Sequence, residues 1–154
     1  MPDTTLTRLP DKASHDRAAL DALLDEEYVG HVGVVRDGLP LVVPTAVARD
    51  GDRLLVHGST GSGWMRALAD GAEACVTVTS LGGIVVARSA FESSMHYRSA
   101  VLFGRCTVLE GDEKRQALDV VVEKLIPGRG AEVRASTPKE LAATLVLAMP
   151  IEEW

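Results

Sequence analysis

The stretch "HGSTGSGWMRAL", His57 to Leu68, gathers the residue types best suited to holding an anion. An apolar, β-like run stops at His57, then Gly58, Ser59, Thr60, Gly61 and Ser62 follow, and an amphipathic helical pattern begins directly after. Amides at a helix N-terminus lack intrahelical acceptors and the helix dipole favours negative charge there; glycines allow close approach, and Ser59, Thr60 and Ser62 add hydroxyl donors. Arg66, one turn into the helix, adds a cation. The loop therefore reads either as a phosphate cradle or as a plain turn in which Ser62 caps the helix. It is no Walker motif, because Gly-Lys-Ser/Thr is absent.

Two further segments carry candidate ligand contacts. Pro44 interrupts "LVVPTAVA", between Val43 and Thr45. A proline cannot donate to a ladder, so this strand lies at an edge, carries a bulge or turns a barrel corner, and carbonyls nearby are free to meet a ligand. Arg98 and Ser99 open the apolar run "AVLFG", where the arginine is either solvated or set against an anionic group. His57 and His96 are the candidate acid/base groups, but no Ser/His/Asp or Cys/His order supports nucleophilic catalysis, and no catalytic residue is assigned. His31, His57 and His96 stand too far apart for metal-ligand spacing, so no metal site is expected. Cys75 and Cys106 lie in apolar runs and read as buried free thiols.

Positioning these residues falls to a chain that reads mostly as antiparallel strands. Residues 1–13 are expected to form a flexible arm and 14–154 a single domain. Ser14 is the expected cap, and Gly30 the expected stop, of a helix carrying Ala18, Leu20, Leu23 and Leu24. Asp37-Gly38 and "RDGD" at 49–52 are turn signals that make a three-strand meander. A helix from Ser62 to Asp70 closes at Gly71, and "EACVTVTSL" resumes the strands. Gly82-Gly83 is the next expected turn, followed by "IVVARSAF" and then "YRSAVLFGRCTVLE", the longest expected strand. Asp112 to Ile126 is an amphipathic helix expected to bury Val121, Val122 and Leu125, and Pro127-Gly128 ends it. "TPKEL" gives a short helix with a Thr-x-x-Glu capping box, and a last strand follows. Without a βαβ repeat, a closed or partly closed antiparallel barrel fits best.

Composition narrows the function classes. The chain has 154 residues, 46% hydrophobic and 25% charged, with 16 Lys+Arg against 22 Asp+Glu and a net charge of −6. That balance opposes a general nucleic-acid binder, which displays a clustered basic face. No apolar run approaches the roughly 20 residues of a membrane span, and the first residues lack a signal peptide's apolar region, so no membrane role and a cytoplasmic location are expected.

The segments "HVGVVRDGLPLVVPTAVARDGDRLLVHGSTGSGWMRAL", "CVTVT", "VVARSAFESSMHYRSAVLFG" and "EKRQALDVVVEKLIPGR" together resemble the pyridoxamine 5′-phosphate oxidase-like, FMN-binding split-barrel superfamily, in the branch related to the Nim-type 5-nitroimidazole resistance reductases. The resemblance spans residues 28–151. It implies an antiparallel split β-barrel with flanking α-helices, a homodimer, and two FMN molecules at the subunit interface. It implies further that Val43, Pro44 and Thr45 line the ring edge, and that His57, Gly58, Ser59 and Ser62 with Arg66 hold the phosphate. Arg98 and Ser99 would approach from their strand or from the partner subunit. The basic residues that the true oxidases carry directly after the loop serine are here Gly63 and Trp64, so phosphate binding would either be weaker or rest on Arg66 and backbone donors. No Arg-containing segment follows Trp154, so vitamin B6 oxidation is not expected. What the resemblance implies is an oxidoreductase passing electrons from a reduced nicotinamide to a small electrophile; the alternative is a non-catalytic flavin or haem carrier. Haem and deazaflavin F420 are the alternative cofactors, since the fold does not fix the ligand.

Overall fold

The computed structural model describes residues 5–154. The first four residues of the expected N-terminal arm lie outside the described residues. Of the rest, Pro10–Lys12 forms one 3-10 turn with nothing buried.

Helix α1 (Arg17–Glu26) buries Leu20, Leu23 and Leu24 at the spacing the sequence shows. Its cap is Asp16, whose carboxylate accepts from the Ala18 amide at 3.0 Å, rather than Ser14, whose hydroxyl accepts from the Asp16 amide. Gly30 does not stop the helix. It lies in strand β1 (Val29–Arg36), where a Cβ would fall 2.7 Å from Val47 Cγ1. Strand β2 (Leu39–Asp50) follows the Asp37-Gly38 turn, both of whose residues have positive φ, 51° and 76°, as a type I′ hairpin requires. Strand β3 (Arg53–Ser59) completes the meander, and its last residues belong to the loop expected from the sequence.

After helix α2 (Gly63–Ala69), strand β4 (Glu73–Val85) runs straight through Gly82-Gly83. The glycine pair is a bulge, with the register to the next strand shifting between Leu81 and Gly83, and "IVVARSAF" is not a separate strand. Strand β5 (Ser94–Arg105) is one residue shorter than β4, and the sequence's longest expected strand divides into it and β6 (Thr107–Val108). Helix α3 (Gly111–Leu125) buries Ala117 and Val121, while Val122 is only half-buried and Leu125, in the last turn, is 42% exposed rather than covered as expected. Helix α4 (Pro138–Ala143) carries the complete capping box between Thr137 and Glu140, and β7 (Thr144–Pro150) ends the sheet.

The strand order is β5-β4-β1-β2-β3-β7-β6, every ladder antiparallel. A bridge from the Phe103 amide to the Glu153 carbonyl, 2.9 Å, curls the sheet back on itself. One apolar cluster joins α1 and α2 to the inner face through Leu24, Leu54, Met65, Leu68, Val76 and Leu102. A second lies under α3, where Leu55, Ala48 and Val146 meet Ala117 and Val121. The architecture is thus the antiparallel split barrel with flanking helices read from the sequence. Both cysteines are free; Cys106 is buried, which pushes its thiol up to about 11, whereas Cys75 is only half-buried.

Candidate functional site

The split originates in two ladders of unequal length. The β2–β3 ladder runs from Asp50↔Arg53 only to Val47↔Val56, while β2 stays paired to β1 through Arg36↔Leu39. From His57 to Ser59, β3 pairs with β7. The two strands therefore part after Val47 and Val56, and Pro44, with no N–H to offer, sits on the β2 edge that has lost its neighbour. Val43 and Thr45 lie opposite Val32 and Gly30, both core-facing, so they point to the inner side. They are half-buried there, because β3 no longer covers them. The sequence left edge, bulge and corner open for Pro44; the structure makes it an edge.

Opposite this edge the loop is tightly tied. Thr60 is spent on the Ala143 carbonyl, its amide at 3.0 Å and its hydroxyl at 3.3 Å, so it is not available to an anion as expected. The Ser59 hydroxyl accepts from the Gly61 amide at 3.1 Å, and the Ser62 amide donates to the Ser59 carbonyl. Ser62 occupies the cap position of α2, where its carbonyl accepts from the Arg66 amide at 3.1 Å, but its hydroxyl makes no capping bond. At Gly58 a Cβ would stand 3.4 Å from Met65 Cγ, an ordinary contact, so α2 packs directly on β3 here with little space left for a larger side chain.

Helix α2 has seven residues. Two turns make a small dipole, so charge at this site has to come from side chains. Arg66 is exposed and, among the described residues, pairs with no carboxylate. A second arginine, not singled out in the sequence, lies beside it: the guanidinium of Arg36 covers Gly63, with Cζ 3.0 Å and Nη2 3.3 Å from where a Cβ would be. The signal that would have found it is strand alternation, since Arg36 continues the inward face of Val32 and Val34 and is a cation at an inward position.

His57 and the β5 pair sit elsewhere. His57 is on the same face of β3 as Leu55, which packs under α3, and so points away from Gly58. Its Nδ1 is buried without a hydrogen-bond partner, and burial lowers its pKa, which leaves it neutral near pH 7 and poor as a proton donor. Arg98 donates to Glu26 at 2.6 Å, at the end of α1, while Ser99, the next residue on the strand, faces the other way. From Thr45 the ladder to β5 crosses three strand spacings, about 14 Å. Val43, Pro44 and Thr45 therefore lie on the β2 edge that parts from β3, Gly58, Ser59, Ser62 and Arg66 follow along β3 and into α2 past the same split, and Arg98 and Ser99 lie on β5, across the sheet.

The fold is thus a split antiparallel barrel whose parted strand edge, serine-rich loop and weakly neutralised arginines lie along one flank. The chain belongs to the pyridoxamine 5′-phosphate oxidase family, whose model matches residues 16–154. Among solved structures it is similar to the FAD and heme binding protein of Mycobacterium smegmatis, at 56% identity over 92% of this chain and 70% of that one, with a TM-score of 0.89. It is also similar to the flavocytochrome Anf3 of Azotobacter vinelandii, at 35% identity over 97% and 71%, TM-score 0.88. A candidate 5-nitroimidazole antibiotic resistance protein of Bacteroides thetaiotaomicron, 21% identical over 91% and 82%, TM-score 0.76, shares the fold. Among curated proteins no relative matches.

Proposed function

We propose that this protein binds a flavin nucleotide in the cleft between β2 and β3 and works as an oxidoreductase, passing electrons from a reduced nicotinamide to a small electrophile. The observation that carries this is the parting of the strands after Val47 and Val56, which uncovers the half-buried Val43 and Thr45 beside a loop whose Ser62 hydroxyl and Arg66 guanidinium have no partner among the described residues. These residues fit a flavin: Val43, Pro44 and Thr45 take the ring edge, and Ser59, Ser62 and Arg66 with the backbone at Gly58 take the phosphate. The flavin, when bound, supplies the hydride and electron transfer. The protein's part is to fix the ring, exclude water from its face and keep a cation near the edge that becomes negative on reduction.

That cation is Arg98, and a second copy has to bring it. The outer face of β5-β4-β1, with the Val42 end of β2, carries no helix and exposes Val29, Val35, Val42, Tyr97 and Val101, whereas α3 covers β2 only at Ala48. A hollow of about 280 Å³ on this side is lined by Val35, Leu41, Val42, Cys75 and Phe103. An apolar face of this kind is suited to a homodimer, with the partner subunit's Arg98 and Ser99 completing the cleft. The resemblance points to FMN, while the description of the 56%-identical relative as binding FAD and heme favours the dinucleotide.

The haem in that description, and the flavocytochrome, also favour a second reading: a carrier of flavin or haem without turnover. Anaerobic addition of NADH or NADPH to flavin-loaded protein separates the two. Bleaching of the flavin within seconds supports the oxidoreductase; an unchanged spectrum with both nucleotides would overturn it in favour of the carrier.

A further inference from the structure

We propose that Arg36 is the principal phosphate anchor of this cleft, its guanidinium brought from the end of β1 into the space that a side chain at position 63 would fill. The inference rests on the flavin reading above. Gly63 directly follows the loop serine, and a Cβ there would meet the Arg36 guanidinium, whose Cζ lies 3.0 Å away, so the fork would have to swing aside. The Arg36 fork thus occupies, from the strand, the space a helix side chain at position 63 would take. The tips of the fork, Nη1 and Nη2, are the atoms turned to Gly63, and no carboxylate holds them among the described residues.

The charges nearby leave this spot weakly neutralised. Arg17, Arg49, Arg53, Arg98 and Arg134 each grip a carboxylate at 2.5–2.7 Å. Arg36 has only its neighbour Asp37, whose carboxylate is 3.5 Å from Nε, and Arg66 has none among the described residues. Gly63 and Arg66 are three apart on α2 and share a face, so two poorly neutralised arginines flank one spot in a chain of net charge −6. A phosphate monoester or diphosphate suits them, because an arginine fork binds two phosphate oxygens at once.

Fluorescence titration of the full chain with FMN, FAD and riboflavin, which lacks phosphate, tests this. Arg36→Ala should weaken FMN and FAD by about tenfold to a hundredfold, the loss of one charge-assisted contact, and leave riboflavin binding unchanged. Adding Gly63→Arg to Arg36→Ala should recover most of the loss, because the cation returns to the same place from the helix. Unchanged FMN and FAD binding in Arg36→Ala, or an equal loss for riboflavin, would overturn the anchor while the flavin reading stands. A parent protein that binds none of the three flavins would overturn both.

Discussion

At the residue scale, the candidate site depends on groups the fold leaves without internal partners. The Ser62 hydroxyl makes no capping bond and Arg66 pairs with no carboxylate among the described residues, whereas Thr60 is already spent on Ala143. Ser62→Ala should therefore weaken FMN and FAD by about tenfold to a hundredfold in a fluorescence titration, with little change in melting temperature; Thr60→Ala should do the reverse. Arg98→Ala should cost a similar factor in affinity if the partner subunit's guanidinium reaches the ring. His57 makes a separate prediction about pH. Burial lowers its pKa in the folded protein, so the unfolded chain takes up the proton first as pH falls. Stability contributed by the neutral ring is complete above about pH 6.5, the ordinary histidine value, and is lost as pH falls toward the folded value. Melting temperature should drop between pH 7.5 and pH 5.5, and His57→Leu should flatten that drop. An equally steep profile in the variant would contradict it.

At the scale of elements, the sequence was most legible where one local rule had one structural meaning. Asp37-Gly38 had to be a tight hairpin turn, and Thr137 with Glu140 had to cap a helix. Gly82-Gly83 failed because a glycine pair marks a turn or a bulge equally well, and only the cross-strand register of β4 with β5 decides. Leu125 failed because an apolar stripe does not say where the sheet beneath it stops. The loop's residues were legible as polar and flexible, but their commitments were not: the bonds from Thr60 to Ala143 join positions 83 residues apart. Arg36 was missed for the same reason, since its neighbour Gly63 is remote in sequence. Gly58→Val tests how far packing of α2 on β3 sets the site. A branched side chain against Met65 should cost about 1–3 kcal/mol of stability by overpacking and weaken flavin binding by displacing the loop. Wild-type affinity in a folded variant would show that the loop holds its place without that contact.

At the scale of the whole molecule, the outer face of β5, β4, β1 and the 39–43 part of β2 is left uncovered, while α3 packs on Ala48 farther along β2. Helices α1 and α2 fill the inside and α3 covers the other sheet face, and none of the helices among the described residues is long and apolar enough to cross a membrane. The exposed valines of β1, β2 and β5 are thus a surface that a second copy would bury. Sedimentation should give a particle of twice 16.4 kDa at micromolar concentration, and Val101→Lys should shift it toward the monomer and release flavin together with the partner. A parent sedimenting as a monomer with flavin bound would show that one protomer's cleft suffices.

The central claim is that a flavin nucleotide occupies the cleft between β2 and β3. Its most direct test is the absorption spectrum of the purified protein, taken as isolated and again after incubation with FMN or FAD and removal of free flavin. The account predicts twin bands at about 370 and 450 nm that persist through gel filtration and scale with protein concentration. A protein that stays colourless with both nucleotides, or one that shows only a Soret band, would contradict it.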